Sequence, residues 1–391
     1  MESRVITTTE DLATFCDGLK GERFITLDTE FIRERTYFPQ LCLLQIGSSK
    51  EAVAVDPLAE GMDLSPLYPV LVDPEILKVF HAAGQDVEIF FRITGQIPHP
   101  LYDTQIAGMV CGFGESASYE TLVRELIGAK LDKASRFTDW AKRPLSDRQL
   151  VYALDDVIHL RKIFELMEAR IAKDDRGAWI QEEMDETYAI SRFQINTQNS
   201  WKRLKVKSRD PFYLHMLRAT AAWREEMAIQ RNVPRQRILR DEVVLQLAAM
   251  VPESAEDLQE VRGLGNQLSR DWQALLIETL STARVAPKES FPAAPPRPIN
   301  LNAGQEACLD MLRMLLKQCC EESHVVPRLV ADRDELEALV KGDLPKEQSH
   351  LFHGWRYEVF GKKAESLLSG KLHAMVDAGN HGYALKWQEM A

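Results

Sequence analysis

Three short stretches hold the side chains able to do chemistry. In Leu27-Asp28-Thr29-Glu30-Phe31, two carboxylates stand at i and i+2 where an apolar run ends. Side chains alternate along a strand, so both acids share a face. Like charges this close repel unless a cation lies between them, which makes the pair a half-site for Mg²⁺ or Mn²⁺. The second stretch is Phe80-His81-Ala82-Ala83-Gly84-Gln85-Asp86. Here an apolar strand meets a glycine turn, and Asp86 opens a helix near the sheet end, where α/β ligand sites collect. His81 reads as a packed side chain rather than a ligand. In the third, Tyr152-Ala153-Leu154-Asp155-Asp156-Val157, Tyr152 and Asp156 stand at i and i+4 and share one helix face. A phenol there is placed to orient a water and a carboxylate to hold an ion, while Asp155 points to solvent.

The elements that must carry these groups are legible as alternation. Arg23 to Asp28, Leu41 to Gly47 and Glu51 to Asp56 read as strands separated by turn-rich segments, hence consecutive and antiparallel. Lys78 to Ala83 reads as a further strand running into a helix over Gly84 to Thr94. Tyr119 to Ile127 and Asp147 to Ala169 show helical spacing. The fold class is therefore α/β, a mixed sheet flanked by helices. From about Ala172 the strand signals stop and the remainder reads as helix and loop.

The 391 residues suffice for two to three domains, and 45% hydrophobic with 27% charged residues excludes wholesale disorder. No apolar run reaches the ~18 residues of a bilayer span, and the N-terminus shows no secretory pattern. Six scattered cysteines without a CxxC pair argue for reduced thiols in a cytoplasm. A net charge of −11 means that any grip on nucleic acid must come from local patches or metal ions. A basic hinge, Trp201 to Arg209, leads into a helical stretch, and a proline-rich spacer, Ala286 to Pro298, precedes a third unit. The two C-terminal units look related: Val233-Pro234-Arg235 and Arg240-Asp241-Glu242 recur as Val326-Pro327-Arg328 and Arg333-Asp334-Glu335.

Taken in order, the acidic stretches resemble the exonuclease domain of the ribonuclease D family, in the tyrosine-containing subclass of the DEDD 3′→5′ exonucleases. The motif residues are Asp28 and Glu30 (DTE), Asp86 (HAAGQD), and Tyr152 with Asp156 (YALDD). Leu41 to Ile46, Tyr102-Asp103-Thr104 and Trp140 to Leu145 also fit, and no catalytic position departs from the pattern. The resemblance implies a ribonuclease H-like exonuclease domain over residues 1–205, an HRDC domain over 210–284, a linker over 285–299 and a second HRDC-like all-α domain over 300–391.

What the resemblance further implies is a metal-dependent exoribonuclease that releases nucleoside 5′-monophosphates and trims transfer-RNA precursors and other structured RNAs. Two divalent ions, Mg²⁺ or Mn²⁺, would hydrolyse the phosphodiester. Asp28, Glu30 and Asp156 would hold the ion that activates water, Asp28 would bridge to a second ion that Asp86 serves through water, and Tyr152 would orient the nucleophile. The expected partner is RNA with a single-stranded 3′ end, with no membrane and a monomeric chain. Phe31 and Tyr37 are candidates to stack on bases, and Lys133, Arg136 and Arg143 to contact the strand. Lys202, Arg203, Lys205 and Lys207 form a second basic patch. Trp140 and Trp201 read as packing residues, and Asp103 as a helix cap. The alternatives are a DNA-directed 3′→5′ exonuclease and a non-catalytic RNA-binding adaptor. Loss of a carboxylate would favour the adaptor, and none is missing.

Overall fold

The computed structural model describes residues 2–115, 117–131, 138–265, 268–293, 300–347, 349–379 and 382–389. It opens with β1 (Glu2–Ile6), α1 (Thr9–Gly18), β2 (Phe24–Ile32), β3 (Gln40–Gly47) and β4 (Glu51–Val55). Then follow α2 (Tyr68–Val72), β5 (Leu77–Phe80), α3 (Gly84–Thr94), β6 (Leu101–Asp103) and α4 (Thr104–Val110). A short α5 (Tyr119–Leu122), continued as a π-turn to Ile127, precedes the long α6 (Asp147–Lys173) and α7 (Gly177–Thr187). One sheet has the order β1-β4-β3-β2-β5-β6. Strands β2, β3 and β4 form the expected antiparallel meander, while β1, β5 and β6 add in parallel. The mixed sheet flanked by helices is the architecture read from the sequence.

Helices cover both faces, so β3 is buried almost throughout. Leu44, Ile46, Val53 and Val55 share a core with Leu12 and Phe15 of α1. Leu43, Ala52 and Ala54 pack with Ala153, Leu154 and Val157 of α6. Ser146 and Gln149 close a capping box at the start of α6, and Arg170 and Lys173 suit the dipole at its end. The helix lies close on the sheet because Gly47 leaves room. A Cβ there would collide with Thr26 Oγ1 and lie 3.2 Å from the Val157 carbonyl, which accepts the Thr26 hydroxyl at 2.8 Å.

A helical unit follows, with α8 (Pro211–Arg231), α9 (Arg235–Ile238), α10 (Asp241–Met250), α11 (Ala255–Glu260) and α12 (Arg270–Arg284) around Leu217, Trp223, Leu247 and Leu276. The last unit contains α13 (Ala303–Ser323), α14 (Pro327–Val330), α15 (Arg333–Lys341), α16 (Gly354–Arg356) and α17 (Lys362–Leu368). Both units begin with a 21-residue helix, α8 or α13, that ends on one left-handed residue, Asn232 or His324, each at φ 48°. A four-residue helix and then α10 or α15 follow, and the repeated Arg-Asp-Glu marks the start of these last two.

Two expectations fail here. The chain after Ala172 is not all helix and loop, because β7 (Leu372–Gly379) and β8 (Gly382–Glu389) pair antiparallel within the region read as all-α. Their side chains are mostly exposed, Val376 at 70% and Tyr383 at 84%, so the pattern of a buried strand was never in the sequence. Nor is Trp201 to Arg209 a free hinge. Thr197–Arg203 forms a 3₁₀ turn, Leu204 is buried in the core of the helical unit, and Trp201 and Val206 pack against it.

Candidate active site

Asp28 and Glu30 lie on β2 and Asp156 on α6, and one carboxylate oxygen from each falls within 4.8 Å of the other two. The strand and helix spacings paired the acids only locally; bringing them to one point was what the resemblance implied. A bulge between Glu30 and Phe31 shifts the register with β3 just beyond the acids, before pairing resumes at Phe31 and Leu41. The cluster borders a cleft of about 350 Å³ lined by Asp28, His81, Tyr119, Tyr152 and Asp156 among others. Tyr152 stands one helical turn before Asp156, its ring 6.1 Å from that of the buried Trp140. The packing role read for Trp140 holds.

Asp86 falls outside this group of three but close enough to Asp28 to feel its charge. It is 6% exposed, in the first turn of α3, and its Oδ1 accepts the Thr29 hydroxyl. Thus the middle residue of DTE, pointing away from the two acids, secures the fourth carboxylate. The turn feeding α3 is held by Asp103, which accepts from Ala82 N at 2.9 Å, Ala83 N at 3.0 Å and the Tyr188 hydroxyl. Asp103 also caps α4 through Gln105 N at 2.7 Å, as expected. Ala82 sits at φ 57°, a left-handed conformation costing roughly 1–2 kcal/mol for a residue with a Cβ. Both oxygens of Asp103 sustain it and so fix where Asp86 begins.

Burial pushes the Asp28 carboxyl up to about 7. Burial and then the charge of Asp28 push Asp86 well above the usual carboxylate range, although Thr29 opposes the shift. Burial holds His81 down, so the imidazole stays neutral; it lines the cleft, 3.0 Å from Thr104 Oγ1. Crowded, desolvated acids disfavour their own ionisation, and a divalent cation removes that penalty. The donors are all hard oxygens, the set Mg²⁺ and Mn²⁺ prefer, so the site fits divalent metal ions.

The expected nucleic-acid contacts divide differently. Lys133 and Arg136 lie outside the described residues. Phe31 is half-buried on β2 next to the bulge. Two readings are corrected. All five N–H donors of Arg143 are spent inside the protein, on both oxygens of Asp56 at 2.6 and 2.7 Å and on the carbonyls of Trp140, Lys142 and Cys42. It clamps the loop before α6 to the sheet, with none left for phosphate. Tyr37 does not line the acidic cleft: its hydroxyl donates to Glu225, Arg235 lies 5.5 Å over its ring, and it packs on the helical unit at the edge of a second cleft. Sequence reasoning missed Thr29 and Tyr119, whose hydroxyl donates to the Asp156 carbonyl. A hydroxyl between two acids was the available signal for Thr29, whereas nothing local marked Tyr119.

The fold and this acidic cleft are those of a 3′→5′ exonuclease, a hydrolase. Residues 3–172 match the family model described as 3′-5′ exonuclease, and residues 214–279 the HRDC domain. A ribonuclease D of Zymomonas mobilis is 42% identical over 377 residues, 96% of each chain. One from a Jannaschia species is 43% identical over 378 residues, 94% of this chain and 95% of the relative. The crystal structure of Escherichia coli RNase D, an exoribonuclease involved in structured RNA processing, superposes with a TM-score of 0.80 at 29% identity, covering 95% of this chain and 99% of that one. The chain belongs to the ribonuclease D family of 3′→5′ exoribonucleases.

Proposed function

We propose that this chain removes nucleoside 5′-monophosphates stepwise from single-stranded 3′ ends of RNA, with transfer-RNA precursors and other structured RNAs as substrates. The observation that carries the reading is the convergence of Asp28, Glu30 and Asp156 beside Tyr152 and near Asp86. Asp28, Glu30, Asp156 and Asp86 would hold two Mg²⁺ or Mn²⁺ ions, which supply Lewis-acid stabilisation of charge on the phosphodiester oxygens. The Tyr152 phenol orients the attacking water and shares its proton. Thr29 fixes the rotamer of Asp86, and Asp103 fixes the turn that starts α3. The proposed division is 1–205 for the exonuclease, 210–284 and 300–391 for two related helical domains, and 285–299 for the linker. The shared helix order of the two helical units supports the duplication. All six cysteines are free thiols, which suits a reducing cytoplasm. Among the described residues no helix is long and apolar enough to cross a membrane.

The test is to incubate a 3′-extended transfer RNA with the protein, with and without EDTA, and to read product lengths against matched RNA and DNA oligonucleotides. Shortening from the 3′ end of RNA that EDTA stops is expected. A preference for DNA, or full activity of Asp28→Asn, would overturn the reading.

A further inference from the structure

A second cleft, of about 560 Å³, opens where the β2–β3 loop, α3 and the 191–200 segment meet α8 and α9. It begins next to the acidic site. Arg33 leaves β2 three residues after Glu30, at most ~10 Å of extended chain. On the other side, Gly84 and Glu88 flank Asp86 on α3. In a chain of net charge −11, this lining holds Arg33, Arg92, Arg192, Arg203 and Arg235 against only Glu88 and Glu225, a surplus of three positive charges.

The arginines are not equally committed. Arg33 pairs with Glu88 through both terminal nitrogens, at 3.1 and 3.2 Å. Arg235 forks onto Glu225 at 2.9 and 2.8 Å, and Arg203 approaches the same carboxylate at 3.6 Å. Arg92 makes no ion pair among the described residues, and its guanidinium lies 4.1 Å over the Phe38 ring. Arg192 holds only the exposed Glu186, at 3.2 Å, a surface pair of little strength. Phe193 and Ile195 add apolar wall, with Ile195 39% exposed. Weakly committed guanidinium groups beside apolar surface recognise an anion that also carries flat rings. That is the chemistry of single-stranded nucleic acid, phosphates on arginine and bases on the apolar face.

Resting on the exoribonuclease reading, we infer that this cleft binds the RNA strand immediately 5′ of the terminal nucleotide, its phosphates held by Arg92 and Arg192. The helical unit forms the far wall through the Glu225–Arg235 pair. Grip on the strand is thus separated from the acidic site, where the terminal phosphodiester is cleaved.

The test uses the full chain with Arg92→Gln, Arg192→Gln and the double variant, which remove exposed side chains. Kinetics are measured on a dinucleotide and a 12-mer oligoribonucleotide across a salt series. The double variant should raise KM for the 12-mer about tenfold with kcat nearly unchanged and leave the dinucleotide unaffected. It should also flatten the log–log salt dependence by about 0.7 per charge removed. Equal losses on both substrates, or none on either, would overturn the inference. So would loss of inhibition by adenosine 5′-monophosphate with an unchanged 12-mer KM, which would mark a product site. An inactive wild type would refute the exoribonuclease reading instead. The cleft would then still be tested by 12-mer binding anisotropy, where an unchanged Kd in the double variant overturns it.

Discussion

Replacing Arg143 by alanine tests whether a basic residue near the catalytic helix serves the substrate or the fold. The guanidinium is 25% exposed and its partner Asp56 10% exposed, and the two share a two-pronged pair. Removing one partner of a fully buried pair costs roughly 3–5 kcal/mol because the other charge is stranded. The residual exposure of Arg143 lets water reach Asp56 and reduces this to about 2–3 kcal/mol. Three carbonyls, of Trp140, Lys142 and Cys42, also lose their donor, and partial rehydration leaves about 1 kcal/mol more. The expected total is about 3–4 kcal/mol. Lysine, a single point donor, should recover less than half. The assay is urea unfolding of the full chain followed by the earliest transition, since several units need not unfold as one. In parallel, KM for a 12-mer RNA is measured where the variant is still folded. Stability should fall while KM stays within twofold. A loss under 1 kcal/mol together with a raised KM would refute the clamp and restore a strand contact.

Three further outcomes follow from the acidic site. Without divalent ions, stability should decline as pH rises from about 4 towards 7, because Asp28 holds its proton longer folded, to about 7, than unfolded, at 3.8. Mg²⁺ or Mn²⁺ should reverse that decline, and Asp28→Asn should make the slope shallower, buried Asp86 keeping its share, and abolish the stabilisation by metal and the activity, as read by melting curves and RNA digestion. Thr29→Val, which removes the donor to Asp86, should cost about 10-fold in activity or metal affinity with secondary structure intact, measured by metal titration. Tyr152→Phe should slow kcat by about 10²-fold with RNA Kd nearly unchanged; a lost affinity would assign the phenol to binding.

Some of this architecture was open to inspection in the sequence because its physics is local. The DTE acids and the Tyr152–Asp156 pair follow from periods of 2 and 3.6, and the sheet from apolar runs between turns. What escaped depends on partners remote in the chain. Arg143 finds Asp56 87 positions away and Tyr37 finds Glu225 188 away, so one arginine and one aromatic near the site were read as facing the strand. Asp103 was seen as a cap through its near neighbour Gln105 but not as the anchor of the Ala82 turn. The C-terminal hairpin buries too little to leave an apolar signature.

The contacts of the β2–β3 loop bear on how far the catalytic region can stand alone. Tyr37 and Phe38 donate their amides to Asn232, and Arg235 braces the Tyr37 ring. On a different side, Trp179 stacks 4.6 Å from Trp355, and Glu182 and Glu183 receive Arg356. A polypeptide stopped after residue 205 would present an unbraced loop directly downstream of its metal-facing strand and a bare indole beside two stranded glutamates. The later helices are thus part of the outer wall of the nuclease, and trimming them amounts to surgery on it.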